Sequence, residues 1–299
     1  TKDFLKNKCK NKYFPKVACF GIAGPVEKNS AKITNLNWEI NELKLKNYFH
    51  FEKVELINDF AVLIYGIPYL KRNQFKTLQI NTNKNNNFEG YHTIVGAGTG
   101  LGISRGIISK TKIFVLPSEG GHIEFAPKTH EEWELKKWLE NYLNIERVSY
   151  ERIISGEGLS NIAKWKFFKD DIRDHPFSNL LLEEKENNTI KKDLAGKICQ
   201  LAKEGDPLML GIEKLWFNAY SSFLGDLALH ELCYGGLWIT GGTAPKHLKK
   251  FISNSFLKQF SNKGRLKDIV KTIPIRIILD EEFGLHSAAC RAKSLLNIQ

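Results

Sequence analysis

The 299-residue sequence lacks the features of several protein classes. No apolar run approaches the ~20 residues of a membrane-spanning helix. The lysine-rich start, residues 1–16, has no apolar stretch typical of a signal peptide. The five cysteines are scattered and form no C-x-x-C pair, which indicates neither a disulfide framework nor a zinc site. We therefore expect a soluble chain in a reducing, cytoplasmic compartment, with no membrane partner.

The sequence also lacks a basic stripe that alternates with aromatic residues, as nucleic-acid grooves require. Lys and Arg outnumber Asp and Glu by 44 to 33, a formal net charge of +11. The lysines are spread along the chain, often beside asparagine, and an AT-rich coding bias explains this more simply. We therefore expect no nucleic-acid partner. With 42% hydrophobic and 26% charged residues, the composition is that of a globular protein and excludes intrinsic disorder.

Strand and helix patterns alternate along the chain, which predicts an α/β fold. Apolar runs predict strands, and the periodicity of apolar residues predicts helices that begin near Asp59, Thr129, Asp206 and Leu285. Leu135, Trp138, Leu139 and Tyr142 mark the buried face of the second helix. A glycine pair after Tyr234 is expected to end the third helix. The predicted strands cover residues 17–24, 54–58, 93–109, 112–116, 237–240 and 273–279.

The densest motif is a run of four alternating glycines at Gly96, Gly98, Gly100 and Gly102. Its spacing matches neither the Walker pattern nor G-x-G-x-x-G, and a strand follows it where a dinucleotide site needs a helix. The pattern favours a β-hairpin whose backbone amides face a phosphate, with Thr99 adding a hydroxyl. The alternative is a tight hairpin with no ligand. Since alternating glycines weaken a strand without a packing gain, we prefer the phosphate site.

A second glycine pair, Gly241 and Gly242, lies between a predicted strand and a predicted helix. This arrangement suits a nucleotide above the turn, with a helix N-terminus beneath it. By itself the signal is weak, because many strand-to-helix turns carry two glycines.

Polar residues next to predicted strand ends and glycine turns are candidate substrate ligands. Asn58 and Asp59 close a strand, and the alternative is a helix N-cap. Glu119 and His122 flank a glycine pair and could hold adjacent sugar hydroxyls; the alternative is a surface loop. Glu151, next to Arg152, is a further candidate ligand; the alternative is that the two residues form a surface ion pair of little consequence.

Five motifs, at residues 58–61, 96–102, 119–122, 151–156 and 239–242, occur in one order over most of the chain. With them the sequence resembles the bacterial-type glucokinase family of ATP:glucose 6-phosphotransferases, from residue 17 to about residue 296. It does not resemble the ROK group, since the cysteine-rich zinc motif of that group is absent. The resemblance implies a two-domain actin/hexokinase-like (ribonuclease H-like) fold with a ligand cleft. Residues 1–69 and 280–299 would form the small domain, and residues 70–279 the large one.

The resemblance also implies residue roles, with glucose and MgATP as the bound partners. Asp59 would be the general base, and Asn58, Glu119, His122 and Glu151 would hold the other glucose hydroxyls. The glycine hairpin with Thr99 would cradle the phosphates of ATP, and Gly241 and Gly242 would face the adenosine. No residue is assigned to Mg²⁺. A homodimer is also implied, although no residue indicates it.

The sequence departs from the family at two points. The Asp-x-Gly-Gly-Thr hairpin, whose aspartate helps to hold the metal in the family, has no match in this chain. Truncation is the simplest expectation, with poor activity and aggregation as its consequences, and a sugar-binding protein without kinase activity is the alternative function. The second departure is Ser287, where the family often has glycine; it weakens the prediction of the C-terminal helix start.

Overall fold

The computed structural model describes residues 1–8, 14–33, 38–80, 88–186 and 193–296. Strands and helices alternate through this part of the chain, as the sequence predicts. The strands are β1 (Val17–Ile22), β2 (Val26–Glu27), β3 (Ser30–Ile33), β4 (Trp38–Asn41), β5 (Lys53–Asn58), β6 (Phe75–Gln79), β7 (Gly90–Ala97), β8 (Leu101–Ile108), β9 (Ile113–Ser118), β10 (Gly236–Thr240) and β11 (Ile275–Ile278).

The helices lie mostly in the second half of the chain. The α-helices are α1 (Lys2–Lys8), α2 (Glu42–Phe49), α3 (His130–Leu143), α4 (Glu151–Ile154), α5 (Gly156–Lys169), α6 (Pro176–Glu186), α7 (Leu194–Lys203), α8 (Pro207–Glu231), α9 (Thr243–Lys246), α10 (Leu248–Phe251), α11 (Asn254–Phe260), α12 (Lys267–Lys271) and α13 (Phe283–Leu296). Short 3-10 helices cover Ala61–Tyr69, Arg72–Gln74, Gly120–His122 and Gly264–Leu266.

Three sheets organise the described residues. β1 and β5 form a parallel pair, and β2, β3 and β4 form an antiparallel sheet. The third sheet has the order β6-β11-β10-β7-β8-β9, with β10 parallel to both β11 and β7 and the other pairs antiparallel. The carboxyl ends of β7, β10 and β11 therefore meet at one edge, where ligands bind in open α/β sheets.

The six-stranded sheet is covered on both faces. Adjacent residues of one strand point to opposite faces, and Ile94 and Val95 of β7 accordingly belong to different cores. One core joins the sheet to α3, α5, α7 and α8. The other joins it to the 3-10 helix Ala61–Tyr69 and to α13. Because both faces are packed, the edge formed by the carboxyl strand ends is held rigidly.

The helix expected after Asp59 is a 3-10 helix that begins at Ala61. It is buried almost all round and contains Pro68, so it has no polar face of the kind an amphipathic α-helix shows. Gly66 allows the close approach of α13, since a Cβ there would lie 2.1 Å from the Ser287 hydroxyl. Ser287 itself is buried and donates a hydrogen bond to the Phe283 carbonyl at 2.7 Å. The serine in place of glycine therefore fits inside an unbroken α13.

The helix starts predicted near Thr129 and Asp206 are confirmed, and both residues cap their helices. Thr129 Oγ1 accepts a hydrogen bond from the Glu132 amide at 3.2 Å, and Asp206 Oδ1 accepts one from the Met209 amide at 2.9 Å. The expected buried face of α3 is wrong at its end: Tyr142 is exposed and stacks on the side chain of Trp138. The expected glycine stop of α8 is also wrong. The helix ends at Glu231, followed by a left-handed cap residue with a φ of 47°.

Candidate active site

The chain turns sharply where β5 ends, at Asn58 and Asp59. Asn58 Oδ1 accepts hydrogen bonds from the amides of Phe60 and Ala61, both at 3.0 Å, and its Nδ2 donates to the Gly24 carbonyl at 3.2 Å. Asn58 thus stabilises the turn that leads into the 3-10 helix, and its role as a sugar ligand stays a prediction. The turn leaves the Asp59 carboxylate half-buried, with one oxygen 3.0 Å from the Phe60 amide.

The environment of Asp59 makes its carboxyl less acidic than that of a free aspartate. Burial raises the pKa of this carboxyl above its ordinary value, and the charge of Glu119 raises it further. The hydrogen bond from the Phe60 amide acts in the opposite direction and is outweighed. A carboxylate with a raised pKa is a stronger base, which is the property a proton acceptor requires.

The alternating glycines form the predicted hairpin between β7 and β8. Gly96 lies opposite Gly102 in the register, and the Gly98 amide donates to the Gly100 carbonyl at 2.8 Å to close the turn. The Gly98 carbonyl accepts a hydrogen bond from the Gly156 amide at 2.7 Å, which anchors the turn to the start of α5. The hairpin tip therefore lies at the edge where the parallel strands end.

The four glycines have different surroundings. A Cβ on Gly96 or Gly102 would lie 2.9 Å or 2.1 Å from the ring of Phe60, and one on Gly100 would lie 2.6 Å from Glu151 Oε2. Gly98 alone among the four has no atom near the position of a Cβ. Packing thus accounts for three of the glycines, and the phosphate role of the hairpin stays a prediction.

Three predicted sugar ligands lie together beside the hairpin tip. His122 Nε2 is 3.8 Å from Glu119 Oε2, and His122 Nδ1 is 3.8 Å from Glu151 Oε1. The glycine turn that carries His122 packs directly on β8, because a Cβ on Gly121 would lie 2.0 Å from the Leu101 carbonyl oxygen. The side chains of Glu119 and His122 are 74% and 55% exposed, so much of their hydrogen-bonding capacity is open to a ligand.

The backbone of the Glu151 segment is fixed by residues that the sequence analysis missed. Ser155 Oγ donates to the Glu151 carbonyl at 2.6 Å and accepts from the Gly158 amide at 3.0 Å. The indole of Trp216, on α8, donates to the Ser155 carbonyl at 3.1 Å. The Ser-Gly pair in the motif at residues 151–156 is the signal that could have identified this support.

The second glycine pair lies on the same edge of the sheet. Gly241 has a φ of +88°, and a Cβ there would lie 2.7 Å from the Ala97 carbonyl oxygen. Thr243 Oγ1 donates to that same oxygen at 2.8 Å, so the turn is joined to the hairpin. Beside it is a pocket of about 370 Å³, lined by Thr240, Gly241, Gly242, Pro245, Lys246, Ile278, Asp280, Glu281, Phe283 and Gly284. Of these lining residues, only Gly241 and Gly242 were predicted from the sequence.

A buried polar cluster lies behind the second glycine turn. His247 Nε2 is 2.8 Å from Glu213 Oε1 and 3.8 Å from Cys199 Sγ, and His247 Nδ1 is 2.9 Å from the Thr243 carbonyl oxygen. Within the described ranges, this is the group of His, Cys and acidic side chains close enough to share a metal ion. Its atoms already satisfy one another, and a thiol does not suit Mg²⁺, which prefers oxygen ligands.

Comparison with known proteins decides the family. A family model described as Glucokinase matches residues 1–295. The chain belongs to the glucokinase family. A glucokinase of Trichormus variabilis is 38% identical over 294 residues, covering 93% of this chain and 82% of the relative. A glucokinase of Synechocystis is 38% identical over 287 residues, covering 93% and 79%.

Solved structures agree with this assignment. A glucokinase from an Antarctic psychrotroph is 28% identical, with a TM-score of 0.79 over 98% of this chain and 84% of that one. A glucokinase from Balamuthia mandrillaris in complex with glucose, 21% identical, has a TM-score of 0.73 over 92% and 77%. A ROK-family glucokinase from Streptomyces griseus, 18% identical, has a TM-score of 0.60 over 97% and 85%.

These comparisons confirm two predictions from the sequence. The fold is the two-domain actin/hexokinase-like α/β fold. The activity is that of a glucokinase, an ATP-dependent kinase for glucose, and nothing favours a sugar-binding protein without kinase activity. None of the helices in the described part of the chain combines the length and the apolar character needed to cross a bilayer.

Proposed function

We propose that the glucokinase reaction in this chain uses Asp59 as the general base for the 6-hydroxyl of glucose. The observation that carries the proposal is the half-buried Asp59 carboxyl. Burial raises its pKa, and its neighbour Phe60 packs against the glycine hairpin. Phosphoryl transfer needs a carboxylate that orients the hydroxyl and accepts its proton, together with exact in-line placement of the donor. Asp59 supplies the carboxylate.

Glu119, His122 and Glu151 are proposed to hold the other sugar hydroxyls, with Asn58 at the strand end. Carboxylates accept hydrogen bonds from two neighbouring hydroxyls, and an imidazole donates or accepts one. The two contacts of His122, each 3.8 Å, are long for hydrogen bonds and leave its ring nitrogens available to a sugar. Contacts of this kind position the sugar and help to exclude water, which limits hydrolysis of ATP.

The nucleotide is proposed to occupy the pocket beside Gly241 and Gly242. The exposed Gly242 has no atom within 4 Å of a Cβ position, so a flat base can approach its backbone. Lys246, in the same lining, supplies positive charge near the phosphates. The hairpin tip at Gly98 and the exposed Thr99 lie on the same sheet edge and suit the phosphate chain. ATP bound there would supply the phosphoryl group.

Mg²⁺ is proposed to enter with ATP, held by the phosphates. The cluster of Cys199, Glu213 and His247 does not fit it, and we assign no protein carboxylate to the ion. The chain's own contribution is to position the two substrates and to accept the proton at Asp59.

The domain division, the cytoplasmic location and the homodimer are also proposals. The domain division at residues 69/70 and 279/280 is supported by the strands, since β1 and β5 lie in one part and the six-stranded sheet in the other. A cytoplasmic location is supported by four free cysteines, Cys19, Cys199, Cys233 and Cys290. The homodimer can be tested by sedimentation of the purified enzyme.

Asp59→Asn tests the proposal, because it keeps the size of the side chain and removes the base. We expect kcat to fall by about 10²–10⁴-fold, as for loss of a general base, while glucose still binds. Calorimetry measures glucose binding, and a coupled assay for glucose 6-phosphate measures turnover. Asp268→Asn is the control, since Asp268 is exposed and pairs with Lys271, three residues later. Normal turnover of Asp59→Asn would contradict the role of Asp59.

A further inference from the structure

The ring of Phe60 lies in a slot made by two glycines of the hairpin. Gly96 on β7 and Gly102 on β8 face each other in the register, and a Cβ on either would lie within 2.9 Å of the ring. A Cβ on Gly96 would also lie 2.9 Å from Thr240 Cγ2, so the slot is closed on the side of β10. At positions 96 and 102, only glycine leaves room for the Phe60 ring where it lies.

The backbone of Phe60 is bound to the two polar residues that precede it. Its amide lies 3.0 Å from Asp59 Oδ1 and 3.0 Å from Asn58 Oδ1. The residue therefore contacts the carboxylate proposed as base through its main chain and the hairpin through its side chain. One residue thus joins the end of β5 to the six-stranded sheet.

The two glycines carry a conformational cost, because glycine weakens a strand interior and offers no side chain to pack. At Gly102 a methyl group would lie 2.1 Å from the ring, a distance that requires the ring or the strand to move. Glycine therefore costs stability in both β7 and β8. This cost is explained if the position of the Phe60 ring matters to the enzyme.

We propose that Phe60 is a positioning residue for phosphoryl transfer, whose ring in the Gly96–Gly102 slot sets the place of the Asp59 carboxylate relative to the hairpin. The inference rests on the proposed role of Asp59 as base. A base must lie within about 2.6–3.2 Å of the hydroxyl it deprotonates. A displacement of about 1 Å can lower the rate by 10²-fold. The ring prevents such displacement by fixing the turn that carries Asp59.

Phe60→Leu tests the inference, because leucine cannot fill a slot shaped for a ring. We expect kcat to fall about 10- to 100-fold while the KM values for glucose and ATP stay within about threefold, since positioning acts on the reacting geometry. Phe75→Leu is the matched control: Phe75 packs on the same core but touches neither hairpin glycine in the slot. It should lower Tm and leave kcat unchanged. An unchanged kcat in Phe60→Leu overturns the inference.

Gly102→Ala approaches the same contact from the other side. Its methyl group displaces the ring, so kcat should fall as in Phe60→Leu, and the double variant should be no slower than the worse single one. If the kcat losses of the two single variants multiply in the double variant, the inference is overturned. If Gly102→Ala does not fold, Phe60→Leu alone decides the inference. Asp59→Asn is measured in parallel. If Asp59→Asn is active, the proposed base is wrong; if it is inactive and Phe60→Leu has normal kcat, only the positioning role fails.

Discussion

The carboxylate of Glu151 accepts a hydrogen bond from the backbone amide of Leu101, with 2.9 Å between Oε2 and N. Its other oxygen lies 3.8 Å from His122 Nδ1. One side chain thus contacts both the hairpin tip and the group of residues proposed to hold glucose. We infer that the sugar half and the nucleotide half of the site are joined at Glu151.

Glu151→Ala should therefore raise the KM for glucose and the KM for ATP together, each by about tenfold, the loss expected for a hydrogen bond to a charged group. Glu119→Ala should raise only the KM for glucose, because the Glu119 carboxylate contacts His122 and not the hairpin. Initial-rate kinetics with each substrate varied measures both constants.

Glu157→Ala is the control for these variants, since Glu157 lies in the same segment and pairs with Arg152 at the surface. Both KM values should stay unchanged in it. A normal KM for ATP in Glu151→Ala would contradict the link between Glu151 and the nucleotide half of the site.

Local signals in the sequence predicted much of the fold. The apolar run that forms β5, the glycine hairpin and the cap of α8 at Asp206 each lie within a few residues of the feature they specify. Turns, caps and periodicity are short-range properties, so one sequence is enough to predict them. The grouping of Glu119, His122 and Glu151 was expected only through the family resemblance.

Long-range packing could not be predicted in this way. The phosphate role predicted for Gly96 and Gly102 stays a prediction, but the sequence showed no sign of the residue that packs against them, Phe60, about 40 residues earlier in the chain. A helix was expected after Asp59, and the structure has the 3-10 helix Ala61–Tyr69 there; its packing against α13, more than 200 residues away, was not predicted. The unbroken apolar run in this segment is a local sign of burial, but which elements bury it depends on tertiary contacts that one sequence does not reveal.

Gly242 offers a test of the nucleotide pocket that leaves the fold intact. Its φ is −64° and no atom lies near the position of a Cβ, so Gly242→Ala should fold normally. Because Gly242 lines the pocket, the added methyl group should raise the KM for ATP about tenfold without changing the KM for glucose. Gly211→Ala, also with free space but within α8, is the matched control and should raise stability by up to about 1 kcal/mol. Equal KM values for ATP in both variants would contradict the placement of ATP.

The buried pair of His247 and Glu213 should make stability depend on pH. Burial alone would lower the pKa of His247, but hydrogen bonds to Cys199 and Glu213 outweigh it and raise the pKa to about 9. A histidine whose folded pKa exceeds its unfolded value stabilises the fold fully below the unfolded value, near 6.5, and loses this effect as the pH rises through about 9. The difference between the folded and the unfolded pKa of His247 corresponds to roughly 3 kcal/mol of stability.

Urea unfolding at pH 6 and at pH 9.5 measures this contribution. We expect the free energy of unfolding of the wild type to fall between the two pH values by about 3 kcal/mol more than that of His247→Gln, because the imidazolium loses its proton while Glu213 keeps its charge. Burial raises the pKa of the Cys19 and Cys233 thiols, and these add a fall that both proteins share. His247→Gln should be less stable at pH 6 and should show a smaller fall, since it has no proton to lose. His130→Gln is the control, because the side chain of His130 is 84% exposed. An equal fall in His247→Gln and in the wild type would show that other groups cause the pH dependence.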